Sequence, residues 1–375
     1  MYAKKYILFI VLLLIFSSCG SNDSSNEEVS PKEDKRVQAA LAPGDCPPLK
    51  ETTYPDHFYA GPIIDTHVHI GNIPNSKIIQ EEGKNSIKPV AGENFVVDNI
   101  ICMLDHGATK QAFIFFPVWE PTIEESLNLW EQMMLRHEGR IIPFIMPPDN
   151  DNDSDGFPTV DAEALQKMTS INPGLFVGYG EIGLYARGND GAPELPPDSE
   201  RLLNIYPIII EENLLVYFHL GVGHEKAFEY VAQKFPQITF IFHGDQLVSY
   251  GEAGQDLSTI GGLLERNPNI YYGVDELYGD VNLIRPDVTK EEFMAHFENR
   301  EELLEIDWGT WKGFIEKYPD QVFWGTDRGP NELWSMDPEV SVLLTEYARE
   351  FIGGLDPTVQ EKFAYKNVEK LIKDR

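Results

Sequence analysis

Basic residues are scarce in this sequence. It has 30 Lys and Arg residues against 61 Asp and Glu residues, so its formal net charge at pH 7 is −31. A surface of that sign repels polyanions and offers no basic stripe, which argues against nucleic acid as a partner. The 375 residues are enough for one large α/β barrel or for two ordinary domains.

Long hydrophobic runs and a dinucleotide-binding motif are also missing. The apolar run at residues 7–16 is too short to cross a bilayer comfortably. No G-x-G-x-x-G motif follows an early strand pattern, so nothing in the sequence supports a dinucleotide site. The short run is better explained as part of a processed N-terminal segment.

The N-terminus has the pattern of a secretion signal. Two lysines precede the apolar run, and Ser17, Ser18 and Cys19 follow it. Because the run ends on Cys19-Gly20, it resembles a bacterial lipoprotein signal, in which Cys19 is lipidated and begins the mature chain. This resemblance implies a protein of the bacterial cell envelope that touches the membrane only through its lipid anchor. Ordinary secretion with cleavage nearby is the alternative.

The chain is predicted to have three parts. Residues 1–18 form the signal peptide, 19–53 a flexible tether, and 54–375 the folded domain. The tether is polar, charged and rich in proline, so it has little to bury. Only three cysteines occur, and a disulfide between Cys46 in the tether and Cys102 in an apolar helix is permitted but not expected.

Short β-rich apolar runs alternate with helical patterns along the domain. The predicted strands are 62–67, 112–117, 141–146, 175–181, 214–219, 238–243, 269–274 and 321–326, and helical periodicity marks 123–138, 160–171, 198–212, 224–235 and 255–266. Nearly continuous hydrophobic strands alternating with helices indicate a parallel sheet buried on both faces. Eight such units predict an α/β fold of the (β/α)8 TIM-barrel type, with a doubly wound open sheet as the alternative.

Potential metal ligands stand at the ends of these strands. His67 and His69 are two residues apart in one strand, so their side chains point the same way. In a barrel the carboxyl ends of all strands meet at one face, where active sites lie. Imidazole and carboxylate groups suit zinc or another divalent metal, as one ion or two. The candidate ligands are His67, His69, Glu181, His219, His243 and Asp327.

Several segments resemble the amidohydrolase superfamily of metal-dependent barrel hydrolases. They are "DTHVH", "VAQKFPQITFIFHGD", "PNIYYGVDEL", "DQVFWGTDRGP" and "YKNVEKLI". The closest branch is the amidohydrolase-2 type, which contains lactonases and decarboxylases. The resemblance implies that His67, His69, His219 and Asp327 bind metal, and that His243 binds metal or acts on substrate.

One segment departs from that branch. "GYGEIGLY" is similar to the fourth strand of the TatD-like nucleases, where the glutamate bridges two metals. By that resemblance Glu181 would hold a second metal. No lysine that could be carbamylated as a bridge lies in this segment. The number of metal ions therefore stays open.

These residues predict a hydrolase of a small ester, lactone or amide. A metal-activated water would attack, with Asp327 as general base and His243 as a second catalytic group. Arg187 and Arg328 follow strands four and eight and could hold a substrate carboxylate, or could pair with neighbouring acids. A decarboxylase on the same barrel is the main alternative. The net charge disfavours a nuclease, and a non-catalytic protein would need a broken ligand set.

Overall fold

The structure is a computed structural model, which describes eleven stretches of the chain. They are residues 44–49, 53–70, 97–118, 123–147, 159–185, 194–221, 223–243, 257–275, 277–279, 288–329 and 333–375. The predicted signal peptide, Cys19, most of the tether and Arg187 lie outside the described residues.

Eight parallel strands form one sheet in the order of the chain. They are β1 (Ile64–His69), β2 (Gln111–Pro117), β3 (Ile141–Met146), β4 (Gly178–Gly183), β5 (Leu215–His219), β6 (Phe240–His243), β7 (Ile270–Val274) and β8 (Val322–Trp324). Each strand pairs in parallel with the next one along the chain. Such an order requires a crossover after every strand, which is the arrangement of a (β/α)8 barrel.

Helices occupy most of these crossovers. They are α1 (Val97–His106), α2 (Ile123–Arg136), α3 (Ala162–Ile171), α4 (Glu200–Glu211), α5 (Glu225–Lys234), α6 (Leu257–Arg266), α7 (Lys290–His296), α8 (Arg300–Asp307), α9 (Gly313–Lys317), α10 (Pro338–Gly353), α11 (Pro357–Glu361) and α12 (Asn367–Lys373). None of the helices within the described stretches has the length and apolar character needed to cross a membrane. Side-chain caps start several of them, as at Asp337, which accepts from the Glu339 backbone N–H before α10.

The barrel closes between β1 and the segment that follows β8. The His69 backbone N–H donates to the Arg328 carbonyl at 2.8 Å, and Val68 forms a parallel bridge with Arg328. The Thr326 hydroxyl donates to the Asp65 carboxylate at 2.7 Å. These contacts confirm the predicted TIM barrel and exclude the doubly wound alternative, whose sheet has open edges.

Two apolar layers fill the fold. The larger one lies between the strands and the helices, and the smaller one fills the barrel interior. Along β2 the two layers alternate, since Phe113 and Phe115 face inward while Ala112, Ile114 and Phe116 face the helices. The interior is therefore a packed aromatic core with the candidate site above it, at the carboxyl ends of the strands.

A disulfide joins Cys46 of the tether to Cys102 of helix α1, a pairing that the sequence permitted but did not lead us to expect. Their Cα atoms are 5.6 Å apart. Residues 44–49 lie against α1, because the Gly44 N–H donates to Asp98 and the His106 ring bonds the Pro47 carbonyl. The pairing was not expected because tether composition does not reveal that this short stretch packs on the domain.

Candidate metal centre

A local irregularity in β1 turns both of its histidines into the barrel. The pairing register with β2 shifts between Asp65 and Val68. His67 therefore packs against Phe115 in the interior layer that also contains Ile64, although Ile64 and His67 are three residues apart. The Nε2 atoms of His67 and His69 then lie 2.9 Å apart. Two ring nitrogens converge on one point at the mouth.

Glu181 lies between two groups of histidines. Its Oε2 is 3.2 Å from His67 Nε2 and 3.1 Å from His69 Nε2. Its Oε1 is 2.7 Å from His219 Nδ1 and 2.8 Å from His243 Nε2. One carboxylate therefore faces each group with a different oxygen, which is the arrangement that a bridging ligand needs.

The glycine before Glu181 allows the strand to come this close. Gly180 has φ +134°, and a Cβ at this position would stand 2.3 Å from the Tyr217 carbonyl oxygen on β5. Any other residue would be both strained and in collision with the neighbouring strand. Gly180 thus helps to set the position of the Glu181 carboxylate.

Asp327 completes the first group from the segment after β8, which lies next to β1. Its Oδ1 lies 3.1 Å from His67 Nε2 and 3.2 Å from His69 Nε2, and about a fifth of its side chain is exposed. Its φ is +48°, a left-handed conformation that residues other than glycine rarely adopt. Strain of this kind is common at functional sites. The strained backbone aims the carboxylate at the two histidines.

The carboxylates and histidines of the site shift each other's pKa. Burial lowers the pKa of His67, but the carboxylates of Asp327 and Asp275 outweigh burial and raise it to about 10. Burial would raise the pKa of Glu181, yet the histidines around it hold that pKa well below its usual range. Carboxylates and imidazoles therefore stabilise each other's charged forms, and a metal ion would replace those protons.

The donor atoms fit divalent metal. His67, His69, Glu181 and Asp327 offer four atoms that lie within 4.8 Å of one another, and Glu181, His219 and His243 offer a second such group. Ligands about 2.0–2.2 Å from a tetrahedral zinc lie about 3.3–3.6 Å from one another. The separations of 2.9–3.2 Å in the first group are slightly shorter, so a small outward movement of these side chains would admit the ion. All six predicted ligands thus come together, while their binding of metal remains a prediction.

Sequence reasoning missed Asp275. It follows β7 directly, is buried, and its Oδ2 lies 3.1 Å from His67 Nδ1 and 3.5 Å from His243 Nδ1. The same signal that singled out Asp327, a carboxylate just past a buried strand, is present in "IYYGVD". This local signal does not reveal that the Asp275 side chain also points inward.

Arg328 does not face a substrate, which corrects that part of the prediction. Its guanidinium is fully buried, donating to the Ser341 hydroxyl at 2.7 Å and pairing with Asp65 at 3.4 Å. The ion-pair alternative is the one found. Its backbone also closes the barrel against β1, so the residue joins β1 to helix α10. The other proposed arginine, Arg187, is outside the described residues.

A profile of the amidohydrolase family matches residues 64–373, which is most of the chain. The chain belongs to the amidohydrolase family. This amidohydrolase gives no significant match among curated protein sequences. The observed barrel and the match agree with the resemblance seen in the sequence motifs.

Solved structures share the amidohydrolase barrel at low identity. A probable 2-pyrone-4,6-dicarboxylic acid hydrolase from Acinetobacter baumannii, crystallised with citric acid, is 12% identical with a TM-score of 0.51, covering 83% of this chain and 99% of its own. An amidohydrolase from Burkholderia multivorans with bound HEPES is 10% identical with a TM-score of 0.51, covering 84% and 99%. Likenesses this distant show the fold alone.

Proposed function

We propose that this amidohydrolase hydrolyses a small ester, lactone or amide with the help of one or two divalent metal ions. The observation that carries the proposal is Glu181, whose two oxygens face two separate histidine groups. His67, His69 and Asp327 would hold one ion together with Glu181. His219 and His243 would hold another on the far oxygen of Glu181. Zinc suits this mixture of imidazole and carboxylate.

A bound divalent ion would act as a Lewis acid and would lower the pKa of a bound water to roughly 7. Asp327 is placed to accept the proton of the attacking water, because its Oδ1 faces the two histidines while part of the carboxylate is open to the mouth. It then returns that proton to the leaving group. His243 is buried, and its Nε2 lies 2.8 Å from Glu181 Oε1. We therefore assign His243 to metal binding and not to proton transfer.

The wall of the mouth also has an aromatic side. The Tyr185 ring lies against the His219 ring, with centroids 4.5 Å apart. An aromatic surface next to the ligands suits the apolar part of a small organic substrate. Arg187, two residues farther along, remains our candidate for binding a substrate carboxylate.

We propose that the enzyme works outside the cytoplasm as a lipoprotein. Support comes from the "SSCG" sequence at residues 17–20 and from the Cys46–Cys102 disulfide, since disulfides persist in oxidising compartments. Cys19→Ser should abolish labelling with fatty acid and release the protein from the membrane fraction. A variant that still carries lipid and sediments with membranes would overturn this proposal.

An assay with a substrate panel tests the proposed reaction. Purified protein is given lactones, esters and amides, with and without a terminal carboxylate, and acid release is followed beside release of carbon dioxide. We expect acid release that stops on chelation and returns with Zn²⁺. Release of carbon dioxide without hydrolysis would favour the decarboxylase instead.

A further inference from the structure

We infer that Asp275 is a positioning residue that orients one histidine from each of the two ligand groups. Its Oδ2 lies 3.1 Å from Nδ1 of His67, a member of the first group. The same Oδ2 lies 3.5 Å from Nδ1 of His243, a member of the second. The inference deepens the proposed function and rests on it.

The geometry explains which ring nitrogens face the centre. Asp275 accepts from Nδ1 of His67 and lies at ion-pair distance from Nδ1 of His243, so its charge favours hydrogen on both Nδ1 atoms and leaves each Nε2 to face a metal ion. Nε2 is the atom that each turns toward Glu181, at 3.2 Å from His67 and 2.8 Å from His243. One buried carboxylate thus aims two ligands at the two oxygens of Glu181.

His219 provides an internal contrast. It faces Glu181 with Nδ1 instead, and its Nε2 is buried with no hydrogen-bond partner among the described residues. Asp275 therefore does not act on every histidine of the site. It lies next to two of the three histidines that present Nε2 to Glu181, namely His67 and His243.

Two glycines leave the room that Asp275 occupies. A Cβ on Gly325 would stand 2.0 Å from Asp275 Oδ1, and a Cβ on Gly273 would stand 3.2 Å from Oδ2. The backbones of β7 and of the segment after β8 therefore approach the carboxylate closely. An acid held this tightly has few alternative rotamers, which suits a group that fixes the orientation of others.

The test compares Asp275→Asn with Asp307→Asn. Asp307 is also fully buried and accepts from the Tyr347 hydroxyl and the Gly279 N–H, but it contacts none of the six ligands in the described hydrogen bonds. Both variants thus replace one buried aspartate by asparagine, so their effects on folding are comparable. An asparagine at 275 keeps the volume and still offers one oxygen to the two rings, but it lacks the negative charge that favours hydrogen on both Nδ1 atoms.

The readout is binding of Zn²⁺ alone by chelator competition. Asp275→Asn should weaken affinity about 10- to 100-fold while stoichiometry at saturating Zn²⁺ stays that of the parent. The visible absorption spectrum of the Co²⁺-loaded variant should also change. Asp307→Asn should leave affinity and spectrum unchanged, whatever it does to thermal stability.

Two results would overturn the inference. An affinity and a Co²⁺ spectrum equal to the parent's would make Asp275 merely structural, and loss of an ion at saturating Zn²⁺ would make it a ligand. If Asp275→Asn does not fold, ring-nitrogen NMR of the Zn²⁺-loaded parent decides, because Nδ1 of His67 and His243 must carry hydrogen. A parent that binds no metal would instead refute the proposed function itself.

Discussion

The Nε2 atoms of His67 and His69 lie 2.9 Å apart at the mouth of the barrel, both facing Glu181 and Asp327. One ring can donate to the other at this distance, but each Nε2 atom also faces the same two carboxylate oxygens. A shared cation would be bound by all four of these atoms at once, so we interpret the pair as two ligands and not as two surface histidines.

Replacing either histidine should therefore remove metal. We expect His67→Ala and His69→Ala to lower bound metal and hydrolysis together, since each removes one donor of the first group. His106→Ala is the matched control, because His106 bonds the Pro47 carbonyl and is not one of the six candidate ligands. Metal analysis by mass spectrometry measures the result. Full occupancy in both site variants would make the two histidines bystanders.

Asp327 should matter for the chemical step more than for binding of metal. Asp327→Asn keeps the shape and one oxygen donor but removes the proton acceptor. Loss of general-base catalysis typically costs about 10²–10⁴-fold in rate. We expect kcat to fall by that order while most of the metal is retained. A variant as fast as the parent would exclude Asp327 as base and would bring the decarboxylase forward.

Metal affinity should rise with pH. In the metal-free site the pKa of His67 is raised to about 10, so the ring is protonated at neutral pH and a metal ion must displace that proton. For each proton that the metal ion must displace, the apparent metal affinity falls about tenfold for every unit by which the pH drops below that pKa. Zn²⁺ competition between about pH 6 and pH 8 measures this slope. Equal affinity across the range would contradict the displacement.

The disulfide should stabilise the barrel. Cys46 and Cys102 are 56 residues apart, and β1 lies between them. Closing such a loop restricts the unfolded chain and is typically worth about 2–4 kcal/mol. We expect the double variant Cys46→Ser, Cys102→Ser to have a free energy of unfolding about 2–4 kcal/mol lower than the parent. Its denaturation midpoint should fall accordingly, with Zn²⁺ stoichiometry unchanged. An unchanged midpoint would mean that residues 44–49 unfold independently of the barrel.

Much of this fold can be predicted because its strands are short contiguous apolar runs. The run predicted at 141–146 is β3 to the residue, and α2 and α6 lie within two residues of their predicted ends. The six candidate ligands are found for the same reason, since each ends or follows such a run. Periodicity reveals local structure, and the topology of the barrel brings the ends together.

Features that depend on distant partners were not predicted. Arg328 is buried in an ion pair with Asp65, which lies 263 residues earlier in the sequence. Spacing along the sequence cannot reveal that pair. Asp275 points inward only because Gly273 and Gly325 leave space for it. The Cys46–Cys102 bond depends on the packing of residues 44–49 against α1. Each is a long-range contact without a local signature.

Glu181 tests the account most directly, because its carboxylate is what would join two ions in one site. The measurement is the number of Zn²⁺ equivalents bound by the parent and by Glu181→Gln after dialysis against excess Zn²⁺. A neutral amide is a poor bridge between two cations, so we expect two equivalents in the parent and one in the variant, with hydrolysis reduced. Equal metal content and equal rates in the two proteins would contradict the bridge and leave Glu181 a mere strand-end carboxylate.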